Sequence, residues 1–87
     1  MTTTDFVLDY FEAHGGLPGS THEEKLAVNY IDTGIVDSMG IVLLVGSLED
    51  HFGIRFEAAQ LQSDEFLTVG GLVAILERLQ AAQQTER

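Results

Sequence analysis

Ser38-Met39-Gly40-Ile41-Val42-Leu43-Leu44-Val45-Gly46-Ser47-Leu48-Glu49-Asp50-His51-Phe52, followed by Gly53, is the stretch that decides the fold. Ile41, Leu44, Val45, Leu48 and Phe52 recur at the i, i+3, i+4, i+7, i+11 spacing of one buried helical stripe. Gly53 stands where a left-handed residue commonly ends a helix. Turned away from the stripe are Met39, Val42, Leu43 and Gly46, with Glu49 and Asp50 below them. An outward face on a small monomer is expected to be polar. This second apolar patch therefore has two readings: another segment, such as the loop before Asp37, covers it, or it is a docking surface.

Just upstream, the turn-like run Gly34-Ile35-Val36-Asp37 places a single Ser at the helix start. First-turn backbone N–H groups have no intrahelical partner, and the helix dipole favours negative charge there. Asp37 and Ser38 are common capping residues for that reason. Ser38 could also carry a group linked through a phosphodiester, but local chemistry alone favours the plain cap, and the function has to come from more of the chain.

Further outward, Phe6, Val7, Tyr10 and Phe11 give a first helix over residues 5 to 14, after Thr residues that can cap it and before Gly15-Gly16. Residues 15 to 20 hold three Gly and the one Pro and read as a loop. Ser20 or Thr21 precedes Glu23 or Glu24 at capping-box spacing, predicting a short helix from His22 to about Val28. An irregular connection from 29 to 37 is pinned by Tyr30, Ile31, Ile35 and Val36. After Gly53, Leu61 is the expected core contact, Asp64 to Leu67 a single turn, and Thr68 the cap of a last helix buried through Val69, Leu72, Leu76 and Leu79. Gly70 and Gly71 each cost roughly 1 kcal/mol relative to Ala inside a helix, so they mark close packing or a frayed first turn. Beyond Leu79 no anchor is evident. The fold class is all-α: one domain over residues 1–80 with three main helices and a short helix before the last, and a frayed tail over 81–87.

Fourteen acids against four bases leave a net charge of −10 over 87 residues. Nucleic acid and anionic membrane surfaces would repel such a chain, whereas a basic patch on a protein partner would attract it. The absence of Cys removes disulfides, thiolate catalysis and zinc–thiolate sites. His14, His22 and His51 lack metal-ligand spacing, and no His base stands near the Asp37–Ser38 pair, so neither metal binding nor catalysis of its own is expected. The N-terminus has no signal-peptide pattern, and no apolar run approaches the ~20 residues that span a bilayer. A cytoplasmic monomer is the expectation.

The run Thr33-Gly34-Ile35-Val36-Asp37-Ser38-Met39-Gly40, the helix end Leu48-Glu49-Asp50-His51-Phe52-Gly53-Ile54 and the later Phe66-Leu67-Thr68-Val69 resemble the 4′-phosphopantetheine attachment region of carrier proteins. The resemblance covers Tyr30 to Leu79. It implies an acyl-carrier-protein-like bundle in which Ser38 receives 4′-phosphopantetheine from coenzyme A through a magnesium-dependent phosphopantetheinyl transferase. Asp37 is then the acid of the family's D-S-L motif, here D-S-M, and the thiol of the arm holds an acyl or aminoacyl group as a thioester. The implied partners are that transferase, an adenylating or acyl-loading enzyme, and a downstream acyltransferase, synthase or condensation enzyme. They would dock on Met39, Val42, Leu43 and Gly46, with Glu49 and Asp50 as a charged rim.

Fatty-acid carriers usually bear acids on the outer face of this helix, where Gly40 and Leu43 stand here. The D-S-M-G sequence is more similar to D-alanyl carriers and to other discrete carriers that serve amino-acid-activating enzymes. Peptidyl carriers of large synthetases commonly have a second Gly where this chain has Val36. A discrete carrier loaded by an adenylating enzyme is the reading, with a fatty-acyl or polyketide carrier as the alternative and a helical adaptor without cofactor as the second. A Leu- and Phe-rich stripe should pack densely and leave a small cargo outside the core. Gly70 and Gly71 argue the other way.

Overall fold

Two capping boxes set the first two helices of the computed structural model, which describes residues 2–85. Thr2 Oγ1 accepts the Asp5 N–H at 3.1 Å, Asp5 Oδ2 accepts the Thr2 N–H at 3.2 Å, and α1 (Thr3–Ala13) follows. Positive φ angles at Gly15 and Gly16 then turn the chain, and the Gly16 N–H closes on the Phe11 carbonyl at 2.8 Å. Thr21 and Glu24 form the second box at the head of α2 (His22–Leu26), which ends before the expected Val28. The Val28 carbonyl has another partner: it accepts the Val69 N–H at 3.1 Å, beside an isolated bridge between Asn29 and Thr68.

The quoted stretch forms α3 (Ser38–Phe52), and Gly53, at φ 65°, closes it through its N–H to the Glu49 carbonyl. A turn not anticipated from the sequence, α4 (Ala58–Leu61), comes next, followed by a 3-10 turn (Asp64–Leu67) and α5 (Val69–Thr85). The Thr68 hydroxyl accepts the Gly71 N–H at 3.0 Å and so caps α5, as its position implied. The all-α class holds: three long helices and short helical pieces, with no strand among the described residues.

Val7 and Phe11 from α1, Tyr30, Leu44 and Leu48 from α3, and Val69, Leu72, Ile75 and Leu76 from α5 are fully buried in one core. Leu61 is a correction: it is exposed, and Ile54, Phe56 and Phe66 fill the space instead. The reason lies in the loop after α3, where the buried Phe56 and Phe66 rings pack edge to face. Burial on α5 is also wider than one stripe, since Val73 and Ile75 join it. That helix packs against α1, α2 and the 3-10 turn together.

Close packing explains both glycines at the start of α5. A Cβ on Gly71 would overlap the Glu65 carbonyl oxygen and lie 2.7 Å from its carbon, and one on Gly70 would lie 3.1 Å from the Leu26 oxygen. The far end of α5 continues past Leu79. Its backbone stays helical to Thr85, and Gln80 Nε2 reaches Thr3 Oγ1 at 3.1 Å. Of the expected tail, residues 86 and 87 lie outside the described residues.

Candidate functional site: the start and outer face of α3

Tyr30 anchors the approach to Ser38. Its ring is buried, its hydroxyl donates to the Phe66 carbonyl, and its own carbonyl accepts the Val36 N–H at 3.2 Å. Burial raises the Tyr30 pKa well above the ordinary phenol value, so the hydroxyl remains a donor. Gly34 takes φ 77°, which a side chain would resist, and Ile35 and Val36 fold half-buried against the helix base.

Asp37 is the N-cap: its Oδ1 accepts the Gly40 N–H at 2.8 Å, and its carbonyl accepts the Ile41 N–H at 2.8 Å. Gly40 lets this happen, because a Cβ there would stand 2.9 Å from Val36 Cγ1 and 3.2 Å from Asp37 Oδ1. With Asp37 as the cap, Ser38 becomes the first helical residue, and its exposed side chain takes no part in capping. The two capping readings are thus divided between two residues. The site fits a phosphodiester: an exposed oxygen stands at the positive end of a 15-residue helix.

Met39, Val42 and Leu43 are 67%, 66% and 60% exposed, so the loop before Asp37 does not cover them. Gly46 and Asp50 continue the same exposed face. Glu49 departs from the expectation of a free rim charge. It is half-buried, and its Oε2 accepts the Phe56 N–H at 2.8 Å, which holds the chain after Gly53.

Beside this face runs an open apolar groove of about 540 Å³, walled by Ile41, Val45, Leu61, Phe66 and Leu67 with Glu49 among its lining residues. This groove adds room that the apolar stripes alone did not suggest. Its outer wall is Leu61, the residue expected inside. Across α3 a smaller cleft of about 200 Å³ lies between Tyr10, His14, Val36 and Leu43. Neither was legible, because each joins segments distant in sequence. His14 stacks on Tyr10 at 4.2 Å and His51 on Phe6 at 3.8 Å. Among the described residues no cluster of three potential metal ligands occurs, and no helix is long and apolar enough to cross a membrane.

A small helical bundle that presents an uncommitted serine at a helix start, beside an exposed apolar face, has the form of a carrier protein. The chain belongs to the phosphopantetheine attachment site family, whose pattern matches residues 19–76. It is similar to D-alanyl carrier protein 1 of Lactiplantibacillus plantarum, at 34% identity over 80 residues, 92% of this chain and 100% of the relative. The D-alanyl carrier protein of Lacticaseibacillus rhamnosus is 34% identical over 65 residues, 74% of this chain and 80% of its own length. That of Streptococcus pyogenes serotype M1 is 34% identical over 59 residues, 68% and 75% respectively. The prosthetic group of this carrier is 4′-phosphopantetheine.

Proposed function

We propose that Ser38 Oγ carries the 4′-phosphopantetheine and that the chain delivers a small aminoacyl group, of the D-alanyl kind, from an adenylating enzyme to a transferase. The observation that carries this reading is the division of labour at the start of α3: Asp37 caps the helix and leaves the Ser38 hydroxyl free. In the transfer from coenzyme A the Ser38 Oγ–phosphorus bond forms, the bond to 3′,5′-ADP breaks, and the hydroxyl proton leaves to the transferase. Once attached, the arm supplies a thiol that holds cargo as a thioester. A chain without Cys has no thiol of its own for that purpose.

Three features support an aminoacyl cargo and a discrete partner set. The matched relatives are D-alanyl carriers, the D-S-M-G run is intact, and apolar residues replace acids on the outer face of α3. Partner enzymes dock on Met39, Val42, Leu43 and Gly46, with Asp50 steering encounter from the rim, since apolar contacts at an interface centre carry most of the affinity. Intact-mass spectrometry after incubation with coenzyme A and a broad-specificity phosphopantetheinyl transferase tests the attachment. The wild type should gain one arm and Ser38→Ala none. An arm on Ser38→Ala would overturn the assignment, and D-alanine loading by a D-alanine-adenylating enzyme, compared with loading by a fatty-acyl ligase, tests the cargo class.

A further inference from the structure

Ser38 and Glu49 stand in one column of α3. Eleven residues are three turns plus about 20°, so the two lie on the same side of the helix, about 16 Å apart along its axis. Val42 and Val45 occupy the column between them, and both line the apolar groove that also reaches Glu49. A pantetheine arm has about thirteen bonds from phosphorus to sulfur. At the roughly 3.3–3.6 Å that an extended chain gains per three bonds, it spans about 15 Å. An arm anchored on Ser38 and laid along this column therefore brings its thiol to the neighbourhood of Glu49.

Glu49 is the charged residue of a groove whose other walls are apolar. One carboxylate oxygen is fixed by the Phe56 N–H, which orients the group at the groove's end. Among the described residues no ion pair to Glu49 is formed: Arg55 lines the adjoining polar hollow with Glu49 and Glu57 but pairs with neither. A half-buried carboxylate beside apolar walls attracts a cation more strongly than a solvated one does.

Resting on the assignment of the arm to Ser38, the geometry points to Glu49 as the receptor for the α-ammonium of the aminoacyl cargo. The arm lies along Val42 and Val45, and the ammonium pairs with the Glu49 carboxylate. This makes Glu49 a specificity-determining residue. An aminoacyl thioester has the charge that Glu49 seeks, whereas a neutral acyl group of the same size offers none and leaves the carboxylate unpaired.

The test uses the full chain loaded with a hydrolysis-stable arm, the amide analogue made from amino-coenzyme A bearing 13C-labelled D-alanine, with attachment at Ser38 verified by peptide mass. The labelled Cα reports the ammonium titration. It should titrate higher by roughly half a pH unit or more in the wild type than in Glu49→Gln, whose carboxamide oxygen still accepts the Phe56 N–H. Asp50→Asn, which removes the neighbouring exposed acid, should match the wild type. Contacts between the alanyl methyl or the arm and the methyls of Val45 and Leu61 are expected in nuclear Overhauser spectra, together with a shift of the Phe56 amide that a propionyl-loaded chain lacks. Should Glu49→Gln unfold, those wild-type contacts and the propionyl comparison decide alone. Equal titration in wild type and Glu49→Gln, or an arm on Ser38 without groove contacts, overturns the inference while leaving the attachment reading intact. Absence of the arm from Ser38 overturns both.

Discussion

α3 and α5 are both long and apolar, yet they treat their side chains in opposite ways. α5 buries Val69, Leu72, Val73, Ile75 and Leu76, whereas α3 fully buries only Leu44 and Leu48 and leaves Met39, Val42 and Leu43 in solvent. Composition does not explain the contrast, since a fully apolar helix is normally an interior one. Neighbours do. α5 is packed by α1, α2 and the 3-10 turn, with two glycines admitting the backbone of its neighbours, while the outer side of α3 leaves Met39, Val42 and Leu43 more than half exposed and only borders open grooves. Apolar surface that folding leaves exposed is what the docking proposed above would use, so on that proposal α5 holds the molecule together and the outer side of α3 presents it.

The largest test of that division sets one residue from each helix against the other. Leu76→Ala should lose about 2–5 kcal/mol in chemical denaturation, the usual cost of a core truncation. Met39→Glu should stay within about 0.5 kcal/mol of wild type, because it alters an exposed first-turn position where a negative charge is favourable. The functional order should reverse. At sub-saturating carrier, loading of the phosphopantetheinylated Met39→Glu chain should fall by about tenfold or more. A Met39→Glu chain that loads at the wild-type rate would show that this face is not the one presented.

The glycines sharpen the same contrast at smaller size. Gly71→Ala drives a methyl into the Glu65 backbone, which cannot swing aside as a side chain could, and should cost about 2–3 kcal/mol. Gly46 has nothing within reach of an added Cβ, so Gly46→Ala should stabilise by up to about 1 kcal/mol through helix propensity. Thermal melts of the two variants should therefore move in opposite directions. A raised midpoint for Gly71→Ala would mean that the start of α5 is not tightly packed.

These contrasts also show how far the sequence can be read. The stripe on α3, a capping box before α2, the Thr68 cap and the Asp37–Ser38 start were legible because each depends on residues within a turn or two of one another, although spacing left Ser20–Glu23 and Thr21–Glu24 both open for the box. The added burial of Val73 and Ile75 was not, since it arises from three neighbours at once. Leu61 was misplaced because its four-residue helix lacks a periodic pattern long enough to show which side faces inward. Glu49 was read as a rim charge from its register alone. Its bond to the Phe56 N–H depends on how the chain returns after Gly53, which spacing within the helix does not encode.

The smallest effect concerns the one ion pair that fastens α5 to the 3-10 turn. Arg78 spans both carboxylate oxygens of Glu65, at 3.1 and 2.5 Å, from an exposed position. The hydrogen bonds from Arg78 hold the Glu65 pKa below its ordinary value of 4.5. A carboxylate whose pKa is lower in the folded than in the unfolded chain contributes stability above the unfolded value and loses it as pH falls through the folded one. The contribution should thus be present near neutrality and shrink progressively as pH falls below about 4.5. Exposure and salt screening keep it small. Glu65→Gln, followed by denaturation at pH 7 and at pH 3 in low salt, should lie slightly below wild type at the first pH and closer to it at the second. Added salt should shrink the difference at pH 7. A gap that neither narrows between pH 7 and pH 3 nor responds to salt would mean that Glu65 contributes through packing, and that the tie between α5 and the 3-10 turn is made by Gly71 and the apolar contacts alone.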